Sequence, residues 1–426
     1  MAKPVPLLRD PAFARLWFIQ ASTQVGGNMA LYALTILVFT TTRSNAAVSV
    51  LVMSFLVPPV LLSAAAGVLV DRLDVRVALI VPNLVRTLLT LGLALAGVNV
   101  AVLLILNLGI SLTAVVLSPA EASMIPQIVP KPQLETAMGI FGMTLQASFA
   151  VGFALLGPLL VALAGPSIAL VVVTAFYAAA TVATLGLPSA PPAAIEPGIA
   201  RRAIQEPVRQ LREGFGAISG DPEVSRPLVH LAAAASIVGV IGVLGPSLAL
   251  SLGLDPKALI VIVLPLGLGV VGGVAGLRWF GAGISRRRAA ETGLVALGLL
   301  AIGISTAGAI GAATGVPIIP PVVILAFCAG AAYAATTVSA QTALFEHMPP
   351  AIRGRIFGVL ASIVSAASLI AVLIAGPLAD ATSAQLVIAA TSVGVIVLAA
   401  WSAIAFGPRP RSEGMAGDET PAAQLR

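Results

Sequence analysis

The chain alternates between long apolar runs and short breaks that carry most of its charge and many of its Pro and Gly residues. The runs fall near 16–40, 46–70, 77–98, 100–124, 136–162 and 165–187, and again near 228–252, 258–281, 290–312, 320–344, 356–379 and 386–407. Each is long enough to cross a bilayer as a helix, which takes about 20 residues. In lipid the backbone can satisfy its own polar groups only as helices or closed barrels. Barrel strands alternate polar and apolar positions over about ten residues, and these runs are uniformly apolar. The pattern predicts an all-α membrane protein with twelve transmembrane helices.

Composition agrees, since 58% of the 426 residues are hydrophobic and only 9% are charged. A soluble domain carries about 25% charged residues, so most of the outer surface is expected to face lipid. The net charge of +6 does not point to nucleic acid, because the basic residues sit between apolar runs and no polar domain carries them. Nineteen of the 23 Lys and Arg residues fall in the N-terminal segment, the even-numbered connections and the C-terminal tail, while Arg43 and Lys257 alone fall in the others. By the positive-inside rule both termini are cytoplasmic. Arginine (20) far outnumbers lysine (3), and alanine and glycine are abundant. That bias fits a GC-rich bacterial genome, hence a multi-pass protein of the bacterial cytoplasmic (inner) membrane. The first run lacks a small-residue cleavage site and reads as a retained helix. Cys328 is the single cysteine, which excludes an intrachain disulfide or a thiolate metal cluster.

The longest connection divides the chain into a bundle over 1–188, a cytoplasmic linker over 189–226, a second bundle over 227–407 and a tail over 408–426. The linker opens on PSAPPAAIEPG and then places Val208, Leu211, Phe215 and Ile218 at helical spacing. This reads either as a short amphipathic helix on the inner membrane face or as a solvated linker helix. The halves also repeat. Pro130–Gly139 aligns with Pro349–Gly358 at an offset of 219, and Gly157-Pro158-Leu159 falls on Gly376-Pro377-Leu378 at the same offset. Parallel repeats of this kind are typical of secondary transporters, whose sites lie near the bilayer midplane between the halves.

Gly67 to Arg76, GVLVDRLDVR, resembles the loop between helices 2 and 3 of the major facilitator superfamily, Gly-x-Leu-x-Asp-Arg-x-Gly-Arg-Arg. It departs from that pattern at Asp74 and Val75. FARLWFIQASTQVGGNMALYAL, REGFGAISGDPEVSRPL and PPAIRGRIFG further resemble the branch of macrolide-efflux proteins and enterobactin exporters. The resemblance spans nearly the whole chain and implies two pseudo-symmetric six-helix bundles, with helices 1, 4, 7 and 10 around a central cavity. It also implies a cytoplasmic gate in which Gly67, Asp71, Arg72 and Arg76 meet Arg353 and Arg355, with Asp71 near the start of helix 11. In antiporters of the superfamily helix 5 carries a longer Gly/Pro motif; here Gly152, Gly157 and Pro158 are present and the closing Gly pair is not.

Polar groups inside spans are costly and therefore functional candidates. Span 1 puts Gln20, Gln24 and Asn28 on one helical face. Span 4 carries Asn107, Ser111, Ser118 and Glu121, and span 10 carries Tyr333, Thr337 and Gln341. Such stripes either line a watered cavity, with Gln20, Gln24, Asn28, Asn107, Ser111, Thr337 and Gln341 as its candidates, or join helices by hydrogen bonds. Glu121, Glu346 and His230 are the candidates for proton coupling, although Glu121 also suits the inner membrane surface and His230 a structural role. Arg86 lies too deep to snorkel and calls for a partner. Gly157, Pro158, Gly376 and Pro377 are expected helix bends.

No phosphate-cradling GxxxxGK[ST] loop is present and the two histidines are far apart in sequence, so neither an enzyme nor an ATP-driven pump is expected. The expectation is a secondary active transporter, without cofactor or metal, working as a monomer among membrane lipid. It would move lipophilic or amphipathic small molecules outward in exchange for protons. Export of a siderophore or lysolipid, or a non-transporting sensor on the same scaffold, are the alternatives.

Overall fold

The computed structural model describes residues 7–191, 222–280, 285–346 and 353–405. They form twelve membrane-length helices. The first half holds α1 (Pro11–Thr42), α2 (Asn45–Val70), α3 (Val75–Leu95), α4 (Val100–Ile128), α5 and α6 (Pro166–Leu185). Helix α5 runs from Leu134–Phe149 through a π-helical stretch, Ala150–Leu156, into Gly157–Ala164. The second half holds α7 (Pro222–Ser251), α8 (Ile260–Phe280), α9 (Arg286–Thr314), α10 (Ile319–Glu346), α11 (Arg353–Ala381) and α12 (Ala384–Ala405). Twelve passes return the last helix to the end of the bundle where the first began. The stretch with Val208, Leu211, Phe215 and Ile218, and the tail over 408–426, lie outside the described residues.

Local chemistry accounts for the helix ends. Asp10 accepts hydrogen bonds from Ala12 N and Phe13 N, with Pro11 opening α1; an Asp cap followed by proline suits the first turn. Gly165 alone joins α5 to α6 at φ 84°, a backbone setting that glycine adopts without strain. Proline at position 158 denies a donor to the carbonyl of Ala154, four residues earlier, within the π-helical stretch of α5, which ends at Leu156. By contrast α11 continues as one α-helix through Pro377.

The exterior is apolar: Ile404 is 82% exposed, Leu95 77%, Leu163 76% and Trp279 76%. Exposure on this scale marks a surface that meets a non-aqueous partner, here lipid. Small residues let α8 and α10 touch backbone to backbone; a Cβ at Gly330 would overlap the Leu266 carbonyl, and one at Gly269 would overlap that of Phe327.

The buried core is not evenly shared between the two ends. Toward the end away from the termini one apolar cluster unites both halves, including Met29, Ile36 and Leu51 of the first and Leu244, Leu248 and Val372 of the second. At the termini end the described residues form two clusters, one per half: Phe13, Leu79, Met124 and Phe141 in one, Leu228, Ala290 and Leu344 in the other. Among the described residues, the halves are thus packed together at the far end and have separate cores near the termini.

Candidate functional site

A buried group of charged residues lies inside the first half. Arg86 of α3 is buried; its Nε donates to Thr113 Oγ1 of α4 at 3.1 Å, and its guanidinium stands over the Tyr177 ring of α6, 5.1 Å from the centroid. A cation over an aromatic face is attracted by the ring quadrupole. Tyr177 reaches this place because Gly26 and Gly27 of α1 leave it room; a Cβ on either would lie 3.0 and 3.3 Å from its ring and hydroxyl. Glu121 of α4 is 5% exposed, lies near enough for the Arg86 charge to act on it, and keeps its Oε1 without a hydrogen-bond partner. Buried polar atoms are ordinarily paired, so this oxygen is unusual. The hydrogen-bonding partner expected for Arg86 is therefore a threonine together with an aromatic face. Tyr177 and Thr113 were not singled out from sequence, although Tyr177 is one of only three tyrosines and stands in an apolar run.

The amide face of α1 turns toward α5. Gln20 donates to the Phe141 carbonyl at 3.3 Å and leaves its own Oε1 unpartnered. Asn28 donates to the Gln24 carbonyl one turn back at 2.9 Å, and its Cβ lies against Gly152 in the π-helical stretch. One turn on, Tyr32 meets Phe153 edge-on at 5.5 Å, and Phe153 stacks on Phe149 at 5.1 Å. Gln24, Asn28, Tyr333, Thr337 and Gln341 are all partly buried; Thr337 bonds the Tyr333 carbonyl within α10.

The α4 stripe is spent differently. Ser111 is fully buried and donates to the Phe55 carbonyl of α2 at 2.7 Å. Pro59 stands four residues after Phe55 and has no N–H to offer it, so Ser111 supplies the missing donor. Asn107 Nδ2 donates to Ser54 Oγ at 2.9 Å on the same helix. These two residues join α4 to α2 within one half; for Ser111 the physical reason is Pro59, which leaves the Phe55 carbonyl to be satisfied in lipid.

Two coupling candidates occupy settled positions. His230 is buried and its Nε2 lies 2.7 Å from Ser402 Oγ of α12. Glu346 is half exposed and faces Arg286 at 3.8 Å. Of the three, Glu121 alone combines burial with a free oxygen.

Of the gate candidates, Asp71 and Arg72 are exposed, and Gly67 has open space around it. The side chains of Arg353 and Arg355 lie outside the described ones. Arg76 instead donates to the Leu185 carbonyl at the end of α6, joining elements of its own half and suiting a cation at a helix C-terminus. Asp74, where the family loop has glycine, caps α3 through Arg76 N at 2.8 Å. It also accepts from the Ser189 hydroxyl and from Ala190 N. The Ser189 hydroxyl, and then the backbone donors, hold its carboxyl below the usual carboxylate range. Loop 2–3 is therefore tied to the start of the linker.

Comparison with known proteins places this arrangement. The family profile described as Major Facilitator Superfamily matches residues 16–319. No curated protein matches the sequence. Among solved structures, the nucleoside transporter NupG superposes with a TM-score of 0.70 at 15% identity, covering 93% of this chain and 100% of its own. A bacterial homolog of the human lysosomal transporter Spinster, in an inward-facing and unoccupied conformation, gives 0.68 at 16%, covering 95% and 98%. A POT family transporter in complex with 5-aminolevulinic acid gives 0.67 at 12%, covering 93% and 96%.

Proposed function

Because the chain belongs to the major facilitator superfamily and is a transporter rather than an enzyme, we propose that it is a proton-coupled exporter of lipophilic or amphipathic small molecules. It works by alternating access in the bacterial cytoplasmic membrane, with both termini in the cytoplasm. In that orientation the united core is on the outer side and the divided cores face the cytoplasm.

The observation that carries the coupling is Glu121: a carboxyl sealed in the first half, one oxygen unpartnered, and a fixed guanidinium close by. When ionised, Glu121 draws on the Arg86 charge; when protonated, it frees Arg86 to rest on Tyr177 and Thr113 alone. A proton taken from outside and released inside would thus alternate between two charge arrangements in the wall of the first half. Phe149 and Phe153, packed on the buried Tyr32 beside the α1 amides, offer an apolar surface, which favours a lipophilic cargo over a highly polar one. Gln24, Asn28, Thr337 and Gln341 are the residues to which we assign its polar contacts, with Gln20 behind them.

The test uses purified protein in vesicles carrying an imposed proton gradient, with ethidium, a macrolide, a tetracycline, a siderophore and a lysolipid as probes. Gradient-driven movement of ethidium, the macrolide or the tetracycline is expected. Glu121→Gln should abolish its dependence on the gradient while leaving substrate-for-substrate exchange intact. Movement of only the siderophore or lysolipid would replace the proposed cargo. Gradient-driven movement unchanged in Glu121→Gln would sink the coupling, and movement of nothing would favour a sensor.

A further inference from the structure

At the end of the bundle away from the termini, α2 begins where α11 finishes, and the two helices run antiparallel across the boundary between halves. The first N–H groups of any helix lack intrahelical partners. In α2, Ser44 caps from its own side, its Oγ accepting from Ala47 N at 3.2 Å. The two preceding donors are taken by the other half: Asp380 Oδ1 accepts from Asn45 N at 2.7 Å, and Oδ2 from Ala46 N at 3.0 Å. The same carboxylate accepts from Asn45 Nδ2 at 2.8 Å and Ser44 Oγ at 2.6 Å. Both oxygens are therefore doubly occupied, and every donor comes from the first half.

The seam continues inward one turn at a time. Asn45 Oδ1 accepts from Ser247 Oγ of α7 at 2.7 Å, so Asn45 touches two helices of the opposite half. Gly376, one turn before Asp380, leaves no gap; a Cβ there would overlap Ser49 Oγ and the Asn45 carbonyl. One turn further, Ser49 Oγ donates to the Val372 carbonyl at 2.6 Å.

What makes Asp380 more than another interface contact is its position in its own helix. It is the penultimate residue of α11, at the end where unpaired carbonyls gather and a negative charge is disfavoured. Within its own half it has the wrong sign for its place. Its favourable surroundings, the positive start of α2, come from the other half. Helix α2 in turn has no acidic residue in its first turn and relies on the one supplied across the seam. Separating the halves at this end strands both partners at once.

We infer that Asp380 is a positioning residue for transport, a latch that holds the far end of the two halves together by capping α2 in trans and must release for that end to open. The inference rests on the alternating-access reading but not on the cargo or on Glu121. It identifies a residue that binds nothing transported, yet sets which side of the protein is open.

The test places spin labels at Val98→Cys and Val316→Cys, two exposed positions in the far-end connections of opposite halves, in a Cys328→Ser background. Distances are measured by pulsed electron resonance in lipid. The unmodified latch should give a dominant short population, with a longer one recruited as substrate or pH is varied. Asp380→Asn keeps the size but removes the charge and half of the acceptors. It should raise the ratio of long to short populations roughly five- to tenfold, the scale of losing a helix cap with charged hydrogen bonds. Gly376→Ala reaches the same seam by crowding rather than by charge, and should move the ratio in the same direction. Asp380→Glu should partly restore the short population, which a purely folding role would not require. If the unmodified protein changes distance and neither Asp380→Asn nor Gly376→Ala shifts the ratio, the latch is wrong. If the unmodified protein never changes distance, alternating access fails and the latch with it.

Discussion

The bond from Ser111 to the Phe55 carbonyl makes a prediction that separates a structural hydroxyl from a cargo-binding one. Pro59 removes the donor that a regular helix would offer to that carbonyl, and Ser111 replaces it from α4 at 2.7 Å. Deleting the hydroxyl leaves a carbonyl unpaired in a fully buried place. Hydrogen bonds between membrane helices average about 0.6 kcal/mol and reach about 1.7. An orphaned buried acceptor costs about 1–3 kcal/mol. Because the lost donor and the orphaned carbonyl are one event, the two ranges overlap rather than add, and Ser111→Ala should cost about 1–2 kcal/mol.

Pro59→Ala restores an N–H four residues after Phe55, so the carbonyl no longer needs Ser111. In that background Ser111→Ala should cost under about 0.5 kcal/mol, giving a coupling of about 1 kcal/mol in a double-mutant cycle. Reversible unfolding in mixed micelles of increasing sodium dodecyl sulfate, followed by the fluorescence of the three tryptophans, measures all four corners. Equal cost of Ser111→Ala in both backgrounds would refute the carbonyl-rescue account. So would a Ser111→Ala protein of unchanged stability that had lost affinity for a transported probe, since that result belongs to a cavity residue.

Two further outcomes follow from other parts of the bundle. Gly330→Ala should cost at least about 2 kcal/mol in the same unfolding assay, because its methyl group would overlap the Leu266 backbone and overpacking of this kind costs about 1–3 kcal/mol even where side chains can move; an unaffected midpoint would show that α8 and α10 are not in direct backbone contact. Asp74 has a native carboxyl pKa held down by Ser189, so its stabilising tie to the linker is fully present above the free-carboxyl value of about 3.9 and is lost as pH falls through the lower native value; protection of the Val75 amide against exchange, relative to the free-chain rate at the same pH, should therefore be full at about pH 5, where its N–H bonds the Ala190 carbonyl, and fall as the carboxyl is protonated, and Asp74→Asn should lower it throughout.

The helices were legible in the sequence because the lipid-facing requirement is written residue by residue in the apolar runs. Their ends were less so. Helix α7 starts at Pro222 rather than near 228: Arg226 and Pro227 look like loop residues, but Arg226 is buried within the bundle. Helix α1 starts at Pro11, where an Asp-Pro pair carried a cap signal that hydropathy alone passes over. Within the spans, periodicity located the polar faces without telling which neighbour each would meet. Ser111 and Gln20 have similar sequence credentials, yet one answers a proline on α2 and the other reaches α5. Asp380 was missed for a related reason. An acid at the end of an apolar run reads as the first loop residue, and only the antiparallel placement of α2 turns it into a cap.

Two of the inter-half seams among the described residues differ in their construction. Helices α5 and α11 hold matching places in the repeat, yet they meet the opposite half by different means. Helix α11 runs unbroken to Asp380 and is fastened to α2 by hydrogen bonds at Asp380 and at the Val372 carbonyl, with close packing at Gly376 on the turn between. Helix α5 reaches α8 through its π-helical stretch, where a Cβ on Gly267 would lie 2.7 Å from that of Ala154, and the same stretch carries Gly152 against α1. A π-helical turn carries an extra residue relative to an α-turn and is rare, though frequent at functional sites. On the reading proposed here, such a turn shifts in axial register at a lower cost than a regular helix locked by a neighbouring cap. On the alternating-access reading proposed above, opening of the far end would meet a compliant seam at α5–α8 and, at α2–α11, a set of bonds that must release together. On that reading the pairing favours two discrete states over a continuum of tilts, because one seam would break its set of bonds together while the other yields.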